Sequence, residues 1–145
     1  MRKGLLILIL IYNYSLFSQN LEFYKEDLVF YLNKNSLKVE GVYYFSNIGN
    51  QTINKLISYP FPVDSSCFGD ISDIKVTHND TIICYKKKLN AISFNVVIQP
   101  YCSEKYYITY QQELNSKKAK YILTSTKKWG KSLETAIYKI IVSNE

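Results

Sequence analysis

The sequence contains very little arginine and histidine. Arg2 is the one arginine and His78 the one histidine among its 145 residues. Proteins that read nucleic acid rely on the bidentate hydrogen bonds that arginine makes to bases and phosphates, so nucleic acid is a poor candidate partner. His78 lies in a predicted His-Asn-Asp turn, and no GxSxG elbow offers a serine for it to activate. We therefore predict a protein that is not an enzyme.

Cysteines are few and are not spaced for redox or zinc chemistry. Cys67, Cys84 and Cys102 form no CxxC motif, which disfavours both uses. In an oxidising compartment two of them could pair. Alternating loops would place Cys67 and Cys102 at opposite ends of the domain, beyond the roughly 7 Å that a disulfide allows between Cα atoms. A single disulfide would then join Cys84 to Cys67 or to Cys102; the alternative is three unbonded, buried thiols.

Long apolar runs are absent except at the N-terminus. Residues 1–3 carry Arg2 and Lys3, residues 5–11 are apolar without interruption, and Ser18 precedes Gln19. A basic start, a short apolar segment and a small residue at the junction are the layout of a cleaved secretory signal peptide. We therefore predict a signal peptide at residues 1–18.

The rival interpretation of this segment is a membrane anchor. Residues 4–17 form a stretch shorter than the roughly 20 apolar residues that a spanning helix needs. No cysteine precedes Cys67, so an N-terminal lipid attachment is also disfavoured. We predict that residues 19–145 form one domain without a transmembrane segment, and that the product is exported: periplasmic, outer-membrane-associated or secreted.

The charge balance is basic. Loss of residues 1–18 would lower the formal net charge from +6 to +4, because Arg2 and Lys3 would be removed. A basic surface can attract anionic lipid or acidic polysaccharide. The balance is more typical of a lysine-rich surface that only keeps a protein soluble, and we favour that interpretation.

The rest of the chain alternates apolar and polar residues with the two-residue period of strands. Leu37, Val39, Tyr43 and Phe45, for example, share one predicted face. About nine short strands separated by turn residues are typical of a β-sandwich or barrel. We predict an all-β, immunoglobulin-like antiparallel β-sandwich. The predicted strands are residues 27–32, 37–46, 55–63, 71–77, 81–85, 91–98, 106–114, 120–126 and 135–142.

Strands that reverse at each connection sort the loops into two groups. Loops 33–36, 64–70, 86–90 and 114–119 are predicted at one end, and loops 47–54, 78–80, 99–103 and 127–132 at the other.

Two basic segments are candidate binding sites. Trp129 with Lys127, Lys128 and Lys131 could stack on a sugar ring or contact an anionic partner; the alternative is that the indole folds back and caps the sandwich. Lys86, Lys87 and Lys88 with Lys117 and Lys118 would form a basic rim at the opposite end, or only solvated turns.

One acidic cluster is a candidate metal site. Asp64, Asp70 and Asp73 surround a serine-containing loop and could offer oxygen ligands to calcium. Their spacing lacks the D-x-D-x-D-G pattern of the known calcium loop. We predict no metal and no cofactor.

Three segments carry a resemblance to known proteins. Val42-Tyr43-Tyr44-Phe45-Ser46-Asn47, Tyr59-Pro60-Phe61-Pro62-Val63-Asp64 and Tyr121-Ile122-Leu123-Thr124-Ser125-Thr126-Lys127-Lys128-Trp129 resemble a set of uncharacterised exported bacterial β-sandwich domains. In that set a Y-x-F-x-N strand precedes a Phe-Pro strand end, and a T-x-x-x-W loop precedes the last strand. The resemblance implies the fold, and it implies no activity and no functional residue.

Together these observations predict an exported, non-enzymatic binding or structural module of the cell envelope or secreted space. Its end loops or an exposed sheet edge would contact another envelope or secreted protein, or a glycan. The alternatives are a carbohydrate-binding module that uses Trp129 and nearby tyrosines, and a secreted carbohydrate-active hydrolase.

Overall fold

The computed structural model describes residues 20–119, 121–122 and 132–143, and all regular structure in these ranges is β. The nine strands are β1 (Leu21–Leu32), β2 (Ser36–Asn47), β3 (Ile53–Pro60), β4 (Phe68–His78), β5 (Thr81–Ile82), β6 (Lys86–Lys88), β7 (Ala91–Ile98), β8 (Ser103–Leu114) and β9 (Thr135–Val142). Across these ranges, no helix has the length and apolar character needed to cross a bilayer.

The strands form two sheets. Six strands pair in the order β5-β4-β8-β2-β1-β9, and three pair in the order β3-β7-β6. Within the described part of the chain, every pairing is antiparallel except that of β1 with β9, which is parallel. The predicted all-β sandwich of about nine strands is confirmed, and its immunoglobulin-like arrangement stays a prediction.

The first strand begins earlier than the alternation predicted. It starts at Leu21, whereas the pattern placed it at residues 27–32. The pairing of β1 with β2 shifts register between Phe23 and Lys25, which is the signature of a β-bulge. Phe23 faces inward before the bulge, and Glu26 and Leu28 face inward after it, because the extra residue shifts the alternation by one position. The two-residue period is therefore broken inside one continuous strand.

Two other predicted elements differ or lie outside the described residues. The segment predicted as the turn 86–90 instead begins with the short strand β6, in which Lys86 pairs with Ser93. Three consecutive lysines carry no strand pattern, so only pairing with β7 reveals the strand. The predicted strand 120–126 lies almost wholly outside the described residues.

The core lies between the three-stranded sheet and the β2–β8 part of the larger sheet. Tyr106 of β8 packs edge-on against Phe45, with ring centroids 5.8 Å apart, and Tyr110 packs against Phe61 at 4.9 Å. Buried aromatic pairs of this geometry each contribute about 0.5–1.5 kcal/mol beyond the area that they bury. The high tyrosine content thus fills the core.

Tyrosine hydroxyl groups inside this core bond to one another. The Tyr43 hydroxyl lies 2.8 Å from that of Tyr59 and 3.0 Å from that of Tyr121, and the latter two are 3.3 Å apart. Gly41 makes room for the arrangement, because a Cβ at that position would lie 2.5 Å from the Tyr43 ring. The three phenols can therefore be buried without leaving these hydroxyl groups unpaired.

The outer part of the larger sheet is much less covered. Ile137, Ile140 and Val142 of β9 are each more than half exposed. One polar side-chain contact ties this strand inward: the Tyr138 hydroxyl donates a 2.6 Å hydrogen bond to Glu26 on β1, and among the described residues we find no second one. Glu26 is 3% exposed, and burial raises its pKa, while the hydrogen bond from Tyr138 partly opposes the shift.

The two ends of the sandwich differ in how they are closed. At one end, which we call the closed end, the loops after β2 and β7 meet around Asn47. At the other end, the β3–β4 loop meets the end of β8, where the Asn115 amide donates to the Cys67 carbonyl. The predicted sorting of loops is confirmed for these segments.

Candidate functional site

A cavity of about 810 Å³ opens at the end of the sandwich opposite Asn47. It is lined by residues 62–65 of the β3–β4 loop, residues 68–71 at the start of β4, residues 87–90 around the β6–β7 turn, and Gln112 of β8. Both sheets contribute to its wall. We call it the end cavity.

The β3–β4 loop takes its shape from its own sequence. Pro60 ends β3, since proline cannot donate to the next ladder hydrogen bond. The Asp64 carboxylate then accepts hydrogen bonds from the Ser66 amide at 3.2 Å and from its hydroxyl at 2.5 Å. This is an Asx turn, and it holds one side of the end cavity.

The other side depends on irregular pairing of β4. Its register with β8 shifts between Phe68 and Ile71 and again between Ser72 and Lys75. Gly69 lies in the first irregularity, where an added Cβ would come 2.8 Å from the Glu113 carboxylate. The bulge therefore needs glycine for its close approach to β8.

Gln112 is the buried polar group of the end cavity. Its residue is 1% exposed, and it follows Tyr106, Ile108 and Tyr110 on the inward face of β8. The Gln112 Nε2 donates a 3.1 Å hydrogen bond to the Pro62 carbonyl. This contact fixes the orientation of the amide, because a carbonyl can only accept. The Oε1 atom then has no hydrogen-bond partner among the described residues.

Charged side chains of both signs line the same cavity as this amide. Asp64 and Asp70 contribute carboxylates, and Lys87 and Lys88 contribute ammonium groups. The Lys87 Nζ also donates a 3.4 Å hydrogen bond to the Ile71 carbonyl. The formal charges of the lining cancel, so the end cavity favours neither cations nor anions by net charge.

The sequence did not single out Gln112. The available signal was an amide at the fourth position of an otherwise apolar inward face, since a buried amide needs partners for both ends. The inward-facing amide points to a site only when the positions of the loops that pack beside it are known. The sequence does point to Asp64 and Asp70, as candidate calcium ligands, and to Lys87 and Lys88, as part of a basic rim.

The predicted sites are placed as follows. Trp129, Lys127, Lys128 and Lys131 lie outside the described residues, and the binding site built on them stays a prediction.

Lys117 lines a different cavity, of about 380 Å³, so the described lysines of the predicted basic rim do not all line one cavity. No group of three potential metal-ligating side chains occurs in the part of the chain that the structure describes.

His78 is built into the fold at the closed end. Its Nε2 lies 2.8 Å from a Glu104 carboxylate oxygen. The imidazole ring stacks on Tyr106, with centroids 4.4 Å apart and planes within 6°. These contacts hold the end of β4 against β8.

The cysteines are unbonded in the structure. Cys67 is buried, while Cys84 and Cys102 are exposed, and all three are free. Neither predicted pairing of Cys84, with Cys67 or with Cys102, is formed. Cys67 and Cys102 flank opposite ends of β8, as predicted, since the Cys67 carbonyl bonds to Asn115 and the Cys102 carbonyl to Asn47.

Comparisons with known proteins give the fold and no more. No known protein family matches the chain, and no curated protein matches it. A crystal structure of a "putative nutrient binding protein" from Legionella pneumophila is similar, with a TM-score of 0.53 and 13% identity over 65% of this chain and 40% of that one. An M1 zinc metallopeptidase from Deinococcus radiodurans gives a TM-score of 0.47 and 9% identity over 66% of this chain and 21% of the enzyme. The chain thus spans less than half of either protein, and the first likeness supports its β-sandwich fold.

Proposed function

We propose that this protein is an exported, non-enzymatic binding module and that the end cavity holds a small ligand. The observation that carries the proposal is the buried Gln112 amide, which lines a cavity with one of its two polar atoms unpaired. Burying a polar group without a partner costs roughly 1–3 kcal/mol. A ligand-bound conformation that turns this atom towards the cavity and gives it a donor would recover that cost.

The chemistry of the amide supports binding over catalysis. A glutamine amide neither titrates near neutral pH nor acts as a nucleophile, so it orients a ligand by hydrogen bonds. The cavity volume lies within the range of about 300–1,000 Å³ that is typical of small-molecule sites. The lining adds apolar surface from Val63, Ile71 and Leu89.

Binding is tested by nuclear magnetic resonance on the purified, ¹⁵N-labelled protein. A panel of small neutral, cationic, anionic and zwitterionic compounds is added, and the Gln112 side-chain NH₂ signal is followed. We expect saturable shifts of this signal and of the Gly69 and Leu89 amides. The Gly49 amide, at the closed end, is the internal control. A panel that leaves the end cavity unshifted would refute the proposal.

Export is proposed from residues 1–18 alone. The test is the intact mass of the protein recovered from bacterial cell fractions. We expect a chain that begins at Gln19 in the periplasmic or culture fraction. Recovery of the chain with Met1 in the cytoplasmic fraction would overturn export and leave the binding proposal standing.

A further inference from the structure

We infer that this protein has a second binding site, beside β9, for a single alkyl chain with an anionic head group, as in a fatty acid. The site is separate from the end cavity and does not depend on the function proposed for that cavity. It is carried by an apolar pocket on the inward face of β1 and β9, by the pairing of that pocket's hydroxyl group, and by two lysines in the cavity that adjoins it.

The inward face of the larger sheet is poorly covered at its β9 edge. The parallel register of β1 and β9 places Phe30 beside Ile140. It likewise places Leu32 beside Val142, so the four side chains share one face of the sheet. The two residues of β1 are partly buried against the core, whereas Ile140 and Val142 are 67% and 63% exposed. This edge therefore presents apolar surface to a ligand.

A pocket of about 250 Å³ lies on this face, and its described lining is Phe30, Leu32, Leu37, Ala119, Tyr121 and Ile140. The one polar side-chain atom in this set is the Tyr121 hydroxyl, which lies 3.0 Å from the Tyr43 hydroxyl and 3.3 Å from that of Tyr59. The described lining thus offers an incoming ligand no side-chain hydrogen-bonding group that is still without a partner.

This lining favours an alkyl chain over a sugar or a peptide. Sugars and peptides bring polar groups that lose water on entry, and burying a polar group without a hydrogen-bond partner is unfavourable. The pocket lies on the face of the sheet, so the ladder hydrogen bonds that an edge strand offers to a peptide backbone are out of reach. An alkyl chain needs no partner and gains from each methylene group that leaves water.

The charge lies in the adjoining cavity of about 380 Å³. This cavity shares Leu32 with the apolar pocket, and its Val142 continues the row of Ile140 along β9. Lys34 and Lys117 line it, and no acidic residue does so in the described part of the chain. Both lysines are exposed, and neither makes an ion pair with another described residue. Charge of one sign favours an anion over a cationic, zwitterionic or neutral group.

The lysines and the apolar pocket are close enough to act on one molecule. Each lysine lies two positions along the chain from a residue of the pocket, since Lys34 follows Leu32 and Lys117 precedes Ala119. An anionic group beside the lysines can therefore be joined directly to a chain that enters the pocket. We call the pocket and the adjoining cavity together the lateral groove.

The test compares three eight-carbon probes that differ in head group: octanoate, the neutral octanol and the cationic octyltrimethylammonium. Each is titrated into the ¹⁵N-labelled protein below its micelle concentration and at constant ionic strength. The Ala119 and Ile140 amides report occupancy, and the Gly49 amide at the closed end is the internal control. We expect octanoate to bind with a dissociation constant at least about threefold lower than either other probe, which two exposed ion pairs can supply.

Two outcomes of this titration would overturn the inference. One is octanoate binding no tighter than octanol or octyltrimethylammonium. The other is shifts confined to the Gln112 side chain and the Gly69 amide, which would put the probe in the end cavity.

Chain length tests the apolar pocket. Butanoate carries the same head group and four fewer methylene groups, and each buried methylene strengthens binding roughly fourfold. We expect butanoate to bind at least about tenfold more weakly than octanoate. Equal affinities would mean that the chain stays in water, and the inference would fail.

The variant Ile140→Asn places an amide in the apolar pocket. We expect octanoate binding to weaken at least about fivefold, because the chain loses apolar contact. In this variant the Leu32 and Ala119 amides report binding. Ile137→Asn, on the opposite face of β9 and also more than half exposed, is the matched control and should bind as the natural chain does. Equal affinities of the two variants would overturn the assignment of the pocket.

The double variant Lys34→Gln with Lys117→Gln removes the positive charge of the lateral groove. We expect its octanoate affinity to fall to that of octanol, while octanol binds as it does to the natural chain. Lys118→Gln with Lys139→Gln is the control, since it removes two exposed lysines that do not line the groove. An undiminished preference of the first double variant for octanoate would overturn the role of the lysines.

A membrane surface is the other source of an anionic head group on alkyl chains. Sedimentation with vesicles of phosphatidylcholine and phosphatidylglycerol distinguishes it from a free amphiphile. We expect octanoate to shift the groove amides without any vesicle present. A protein that sediments with these vesicles and shows no shift with octanoate would overturn the inference in favour of a membrane.

Discussion

Asn47 and Gln112 are both buried amides on inward faces of neighbouring strands, yet they serve opposite ends of the sandwich differently. Each residue is 1% exposed. The Asn47 Nδ2 donates to the carbonyls of Gln51, Ile98 and Gln99 at 2.7–3.1 Å, and its Oδ1 accepts from the Gly49 amide at 2.9 Å. Gln112 makes one such bond, and its Oε1 has no hydrogen-bond partner in the described part of the chain.

The difference shows that a buried side-chain amide can either tie the loops at one end together or leave a cavity at that end. At the closed end, the protein supplies every partner that the amide needs, so the loops are tied together. At the end cavity, the protein supplies one partner, and the other atom is buried without a hydrogen-bond partner among the described residues. Complete satisfaction favours rigidity, and incomplete satisfaction beside a cavity is the basis of the ligand site that we propose.

The largest effect that would test this contrast is expected from Asn47→Ala. The substitution leaves several buried backbone groups without partners, so we expect a loss of about 3 kcal/mol in the free energy of unfolding. Urea denaturation followed by tryptophan or tyrosine fluorescence measures the loss. Asn50→Ala, at an exposed position of the same loop, is the control. A loss below about 1 kcal/mol would show that Asn47 does not tie the closed end.

Tyr43→Phe is expected to have an intermediate effect. Its hydroxyl lies between those of Tyr59 and Tyr121, so we expect a loss of about 1 kcal/mol, while those two hydroxyls keep their own contact. Urea denaturation again provides the measurement, with the exposed Tyr107→Phe as control. Stabilisation by Tyr43→Phe would mean that the core hydroxyls are not held by one another.

Glu26 lies on β1, and its ionisation should make the free energy of unfolding depend on pH. Burial raises the pKa of Glu26 in the folded state above its value near 4.5 in the unfolded chain. The protonated Glu26 therefore stabilises the fold fully below that unfolded-chain pKa, and this stabilisation is lost as pH rises through the folded-state pKa. Glu26→Gln cannot ionise. We therefore expect the variant to gain stability relative to the natural chain as pH rises from about 4 to 8.

The measurement is the urea midpoint of both proteins at intervals across that range. Glu113→Gln, an exposed acid on β8, is the control. An equal change of the urea midpoint with pH in Glu26→Gln and Glu113→Gln would show that burial is not the cause of the Glu26 effect.

The smallest effect on stability is expected from Gln112→Leu. The variant loses the bond to the Pro62 carbonyl but also removes a buried acceptor without a partner, so we expect a change within about 1 kcal/mol of the natural chain. Thermal unfolding without ligand checks this. A loss as large as that of Asn47→Ala would make Gln112 a structural tie and weaken its assignment to a ligand.

The strands that depend on neighbouring residues could be predicted from the sequence, and the features that depend on distant segments could not. The regular alternation of β2 and β7 depends on nearest neighbours along the chain, and it gave the strands correctly. The bulge near Tyr24 and the lysine strand β6 depend on pairing with distant segments, so the pattern along the chain misplaced them. The candidate site follows the same rule, since the loop position of Asp64 was recognisable and its meeting with Lys87 at the end cavity was not.

The sequence by itself determined the all-β class, the sorting of the end loops and the apolar inward faces, because two-residue periodicity and turn residues act locally. Only the tertiary structure decided which buried amide finds partners. Asn47 and Gln112 carry the same chemistry in the sequence. Their difference arises because the loop after Asn47 and the distant Ile98 and Gln99 together bring that amide four partners, whereas the β3–β4 loop brings Gln112 a single partner beside a cavity.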